Sequence, residues 1–297
     1  MSKTLLILGN GFDLDLKLKT GYKDFTDSIF WPFDREDSQS PLARFLYEQF
    51  QDGWYDLEDA LGKYFSKDIL LGLSSDQMEF FGISVALTGY LNEIQKAPLK
   101  EYSYAATVLH SVCEVGCEGK IYSFYYTDLE SFAERLNVKG ECKVSYVHGS
   151  LKDNNIILGV GDYVQLPHNN EFAYKTSNPK YKSSYIARDL AEYDNVIFFG
   201  HSISQIDYPY FKRFFKQIAE GTLQNKYVRF LTYDDSSRAS IISNIRAMER
   251  DIVSITSSCD FDIIQTHDHG DFKKFKEMIH HINPNMRLMA FSVTTPK

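Results

Sequence analysis

At 297 residues the chain is long enough for one large domain or two modest ones. Its 22 Phe and 20 Tyr can fill a sizeable core, and a formal charge of −8 argues against a general electrostatic grip on DNA or RNA. No signal peptide precedes the first strand and no apolar run is long enough to cross a bilayer, so a soluble, cytoplasmic protein is expected.

The run Thr4-Leu5-Leu6-Ile7-Leu8 lacks polar alternation and reads as a strand buried on both faces, the signature of a parallel sheet covered by helices. It leads into Gly9-Asn10-Gly11-Phe12-Asp13. Two glycines there permit a tight turn and close approach of a ligand to backbone N–H groups that suit a phosphate. A plain turn is the alternative. The loop lacks the Gly-Lys-Ser/Thr ending of a P-loop, and Leu14 stands where a dinucleotide fingerprint has its third glycine.

Alternation from Leu14 through Leu18 predicts an extended loop, with Thr20 capping the helix that follows. Up to Gly119 the pattern is mainly helical, with helices predicted over 22–30, 42–50, 56–65, 76–96 and 99–115 and breaks at Pro32, Pro41 and Pro98. Trp54 reads as a packing residue, and Asp56 or Glu58 as a group facing a ligand. Cys113 and Cys117, four apart on a helix, read as buried thiols rather than a disulfide or zinc pair.

From Lys120 the texture alternates between strand and helix. Strands are predicted over 121–126, 144–147, 156–158, 196–199, 227–232 and 261–265. Helices are predicted over 128–136, 184–192, 207–219, 237–250 and 271–282. This pattern defines an α/β fold with a doubly wound, mainly parallel, Rossmann-like sheet. The expected core is 1–19 with 120–297, and 20–119 is a helical insertion folding over the strand ends as a lid.

Ligands of such sheets bind beyond the carboxyl ends of the strands. Those ends carry Asn10, Tyr126-Thr127-Asp128, His148, Asp162, His201-Ser202, Asp234 and the His267/His269 pair. His148 is either a ligand-contacting group or a fixer of its own turn. His201 is a ligand contact or a buried, hydrogen-bonded residue. Asp207 reads first as a helix cap, and Asp13 equally as a cap or as an orienting group. With Asp15 also near a bound phosphate, at least one of these two carboxylates must point away. Gly159-Val160-Gly161-Asp162 is a second glycine turn or a plain loop. His267-Asp268-His269 has no third ligand at diagnostic spacing, so no metal is expected.

Taken together, Ile7–Asp13, Leu18-Lys19-Thr20-Gly21-Tyr22, Trp54-Tyr55-Asp56-Leu57-Glu58, Tyr122-Ser123-Phe124-Tyr125-Tyr126-Thr127, Val147-His148-Gly149-Ser150 and the segment from Phe199 to Asp207 resemble the AbiH family. Its members are associated with abortive infection, in which infected bacterial cells stop growing before phage can spread. More distantly, the same motifs resemble sirtuin-like domains that bind or hydrolyse NAD. That resemblance implies NAD as ligand or substrate, with Gly9-Asn10-Gly11 as the loop under the pyrophosphate, the strand ending at Tyr126 next to the nicotinamide ribose, and Phe12, Asp13, Tyr125 and Thr127 among the nucleotide-binding residues. His148, next to Gly149, would act on a ribose hydroxyl, and Gly200, His201, Ser202 and Asp207 would line the far half of the nucleotide. Sirtuin-like enzymes carry an asparagine where this chain has Tyr125, so Asn10 or Asp128 would take over its role. Otherwise the protein is a nucleotide-sensing or interaction module without turnover, or a metal-dependent phosphoesterase or nuclease. A nucleotide is thus the expected partner, a phage component or a homo-oligomer is a further candidate, and neither nucleic acid nor a membrane is expected.

Overall fold

The computed structural model describes residues 3–33, 40–50, 56–67, 73–249, 251–267 and 271–286. In chain order the regular elements are β1 (Thr4–Leu8), α1 (Gly11–Asp15), α2 (Tyr22–Thr26), α3 (Pro41–Phe50), α4 (Leu57–Phe65), α5 (Leu73–Ile94), α6 (Tyr104–Cys113), β2 (Gly119–Ser123), α7 (Leu129–Arg135) and β3 (Val144–Tyr146). Then come α8 (Ile186–Glu192), β4 (Asn195–Phe199), α9 (Tyr208–Ala219), β5 (Tyr227–Thr232), α10 (Asp235–Met248), α11 (Ile252–Ser258), β6 (Asp260–Gln265) and α12 (Phe272–Ile282). The chain divides into two compact units. One comprises Met1–Leu18, Pro98–Val147 and Ser184–Lys297, the other Lys19–Ala97 and His148–Ser183.

The first unit holds a six-stranded sheet in the order β3-β2-β1-β4-β5-β6. Every pairing is parallel, with Leu8 opposite Ser123 on one side and Phe199 on the other. The apolar run of β1 is explained by this central place: all five residues are buried, because helices cover both faces. Leu5, Ile7, Val196, Phe198, Val228 and Phe230 pack with α8, α9, α10 and α11. Phe198 lies flat on Phe230, centroids 4.3 Å apart. The alternate residues point the other way, where Phe12 of α1 meets Phe199 edge-on and α6 packs on α12 through Tyr104 and Phe275. The sheet is therefore doubly wound and wholly parallel.

Local departures from the sequence reading have local causes. Residues 14–18 do not form an extended loop, because α1 runs to Asp15 and Lys17 then takes a left-handed conformation, φ 69°. Thr20 does not cap α2: Gly21 is the N-cap and Thr20 is buried. The strand expected over 121–126 ends at Ser123, whose hydroxyl closes a tight turn with the backbone of Tyr125. Cys113 is bonded to Cys142, 29 residues away, which ties the end of α6 to the segment before β3. The expected free thiol at Cys113 is thereby corrected, while Cys117 and Cys259 are free. Among the described residues no helix is long and apolar enough to cross a membrane.

The second unit is built on α2 to α5 and the segment after β3. A strand was expected over 156–158 but none forms there. Ile157 and Leu158 are buried as loop, with Ile157 N–H donating to His148 O at 2.9 Å. Gly159–Asp162 is a loop whose Val160 makes an isolated bridge to Tyr174. Within the unit, Glu58 and Lys175 form a buried ion pair at 2.9 Å, and Asp56 caps α4 by accepting from Glu58 and Asp59 N–H. Trp54 and Tyr55 lie outside the described residues, as do Asp268 and His269.

Candidate functional site

In the order β3-β2-β1-β4-β5-β6 the winding direction reverses between β1 and β4, and the crevice beyond their carboxyl ends is the place where doubly wound sheets hold ligands. The loop after β1 carries Gly9, Asn10 and Gly11; the loop after β4 carries Gly200, His201 and Ser202. The two are hydrogen bonded backbone to backbone. Gly9 N–H donates to Phe199 O and Gly11 N–H to Gly200 O, both at 3.0 Å.

The glycines serve this approach. A Cβ on Gly9 would lie 2.4 Å from Gly200 O, and one on Gly11 2.6 Å from Gly200 Cα. Gly200 itself has φ 58°. Sequence reasoning assigned these glycines to the approach of a ligand; what comes close in the structure is the neighbouring loop. Asn10 occupies the N-cap position of α1 without a side-chain capping bond.

His201 sits where the β4 loop bends. Its Nδ1 accepts from Ile203 N–H at 2.9 Å, which leaves Nε2 as the protonated nitrogen of the neutral ring. Nε2 lies 3.5 Å from Asp207 Oδ2. The imidazole is buried against Phe124 and Phe211, with centroids at 4.5 and 5.3 Å. Asp207 was expected first as a helix cap. It stands at the N-cap position of α9, yet its side chain makes no capping bond and faces His201 instead. Between them Ile203 adopts φ 46°, a left-handed conformation that strains a β-branched side chain. Such strain, roughly 1–3 kcal/mol, persists only where the surroundings hold it and clusters at functional sites. Here the bond to His201 and the complete burial of Ile203 hold it. Ser202 is exposed, and its carbonyl accepts from Asn244 Nδ2.

The loop after β2 joins the β1 turn through a buried pair: Thr127 Oγ1 donates to Asp13 Oδ2 at 2.8 Å. This bridge spans 114 residues of sequence and was invisible as a pair. Tyr125 is buried, its ring 5.1 Å from that of Tyr126.

Asp128, a catalytic candidate from sequence, accepts from Glu130 and Ser131 N–H and so caps α7. Replacing it by Ala should cost about 1 kcal/mol in chemical denaturation, whereas Ser should keep most of the cap. Activity lost in a stable Asp128→Ser protein would assign the carboxylate a role beyond capping.

Asp15 points away from the turn and accepts from Ala105 N–H at the start of α6, 2.8 Å away. Burial pushes its carboxyl above the ordinary value despite that bond and nearby Lys100 and Lys17. The folded protein thus holds this proton more tightly than the unfolded chain does. Its contribution to stability falls as pH rises from the ordinary carboxylate pKa to the raised folded one, and is flat above. Asp15→Asn should remove that part of the slope in melts across the acid range, and an unchanged slope would contradict it.

His148 and Gly149 belong to the second unit. His148 is buried and its carbonyl holds Ile157 N–H; Gly149 has φ 78°, and Ser150 N–H donates to Asn155 Oδ1. The structure thus brings Gly9, Asn10, Gly11, Phe12, Gly200 and His201 together, links Asp13 to Thr127, and sets Asp207 on His201. Ile203 and Phe124 were missed as parts of this arrangement. Among the described residues no group of three or more His, Cys, Asp or Glu side chains is placed to hold a metal ion.

An all-parallel, doubly wound domain whose β1 and β4 loops interlock at the reversal of strand order is Rossmann-like. Within that class the chain belongs to the AbiH family: the model described as bacteriophage abortive infection AbiH matches residues 5–228, from β1 into β5. No curated protein matches the chain significantly.

Proposed function

We propose that this AbiH-family protein binds NAD or a related nucleotide at the β1–β4 crevice and hydrolyses the nicotinamide–ribose bond. The observation that carries the reading is the interlock of the Gly9–Gly11 and Gly200–Ile203 loops at the strand-order reversal, braced by His201 and Asp207. The resemblance of the same motifs to sirtuin-like domains supports NAD over other nucleotides. In the reaction the C1′–N bond breaks and its electron pair leaves with nicotinamide. Water adds to C1′ of the oxocarbenium-like ribose and gives up its proton, so NAD and water become nicotinamide, ADP-ribose and a proton. In this scheme Asn10, at the head of α1, orients the ribose. Both nitrogens of His201 face partners within the fold, so His201 and Asp207 act as positioning residues.

The test is to incubate the purified chain with NAD and measure nicotinamide and ADP-ribose. Product is expected. Absence of both product and saturable NAD binding overturns the proposal. Saturable binding without product would favour a second reading, a nucleotide sensor. That reading is supported by Tyr125, a buried phenol where sirtuin-like enzymes carry an asparagine able both to donate and to accept.

A further inference from the structure

The Cys113–Cys142 bond joins the last residue of α6 to the irregular segment between α7 and β3. Its two ends differ in access. Cys113 is buried, whereas Cys142 is half-buried, so a thiol arriving from solvent meets the second sulfur first. Disulfides with an accessible sulfur are the labile, regulatory ones, because exchange starts with a thiolate attacking that sulfur.

What the bond holds is an edge of the sheet. β3 has three residues, against about five or six in a usual strand, and pairs with β2 alone. None of its residues is fully buried. From β3 a short chain of contacts leads to the β1 turn. Tyr146 Oη accepts from Leu129 N–H at the start of α7, Asp128 caps the same helix, and the preceding Thr127 donates to Asp13. The fold also brings the sulfurs back together after the bond opens. Gly140 lies directly on the end of α6, where a Cβ would overlap Cys113 O, so a glycine is what lets this segment seat beside Cys113.

We propose that Cys113 and Cys142 form a reversible redox switch, which clamps β3 when oxidised and releases it when reduced. The reductant is a dithiol. Its thiolate attacks Cys142 Sγ, the S–S bond breaks, and the electron pair leaves on Cys113 Sγ, which takes up a proton. The second thiol of the reductant, as its thiolate, attacks the mixed disulfide and frees Cys142, whose sulfur takes the other proton. Two electrons thus pass to the protein, and the dithiol becomes a disulfide. The switch does not depend on which ligand the β1–β4 crevice holds.

The experiment compares the full chain, purified without reductant, before and after treatment with dithiothreitol at neutral pH. Alkylation after denaturation should label two cysteines before treatment, Cys117 and Cys259, and all four after it. Hydrogen exchange in peptides covering 138–147 and 127–131 should be about tenfold faster or more in the reduced chain, with 195–199 unchanged. Cys142→Ser should show the reduced pattern under both conditions, and Cys117→Ser should behave as the parent. If Cys142→Ser fails to fold, the reduced parent supplies the same comparison. Four labelled cysteines even after incubation with oxidised glutathione overturn the proposal. So does a bond that is reduced only as the whole chain unfolds, or equal exchange in the two states.

Discussion

Gly200→Ala should destabilise the folded chain by about 3 kcal/mol, a fall of roughly 6–12 °C in melting temperature. Two effects add. The residue holds φ 58°, where an L side chain is strained, and the new Cβ would lie 2.4 Å from Gly11 Cα. The overlap cannot be relieved by a side chain swinging away, because the atoms met are backbone. That backbone is held by the Gly11 N–H to Gly200 O bond and by the start of α1. Gly221→Ala is the internal control: it carries similar strain, φ 70°, but a Cβ there meets no atom of the described residues within 4 Å. Its cost should be near 1 kcal/mol. Equal losses at the two positions, measured by denaturant unfolding, would show that the interlock of the loops contributes little.

Asp207→Asn should lower kcat/KM for NAD cleavage about 100-fold with the melting point nearly kept. The carboxylate lies 3.5 Å from Nε2 of His201, whose other nitrogen holds Ile203 N–H in a left-handed turn. An amide can present its NH2 to Nε2 and turn the ring, which frees the turn. If this loop lines the proposed nucleotide site, a shift of about 1 Å in it is enough for a loss of that size. A positioning role also predicts that the pH–rate profile keeps its shape and falls as a whole. In contrast, loss of a limb of the profile would mark Asp207 or His201 as a proton-transfer group. Unchanged activity would remove the pair from the site altogether.

The central sheet was readable from residues 4–8, 195–199 and 227–232, because strands buried on both faces announce themselves as apolar runs between turn residues. The same rule misled at 156–158. Burial alone makes such a run, and here a loop inside the second unit supplies it. Helix α11 lies beyond the helix expected over 237–250 and was missed, although Asp251 accepting from Ser254 N–H marks its start, legible in the Asp-x-x-Ser spacing. At the candidate site the residue types and loop positions were legible and the pairings were not. Asp13 meets Thr127 across 114 residues, and His201 reaches Asp207 only because Ile203 turns the chain left-handed. Neither contact has a periodic or local signature, since the fold rather than the spacing creates it. Lys175, the buried partner of Glu58, was hidden for the same reason.

Hydrogen–deuterium exchange of the chain with and without saturating NAD tests the central claim most directly, because it reads where the nucleotide lies regardless of turnover. Protection should concentrate in peptides covering residues 9–13 and 200–207. Protection confined to other segments, or none under conditions where NAD demonstrably binds, would contradict a nucleotide seat at the junction of β1 and β4.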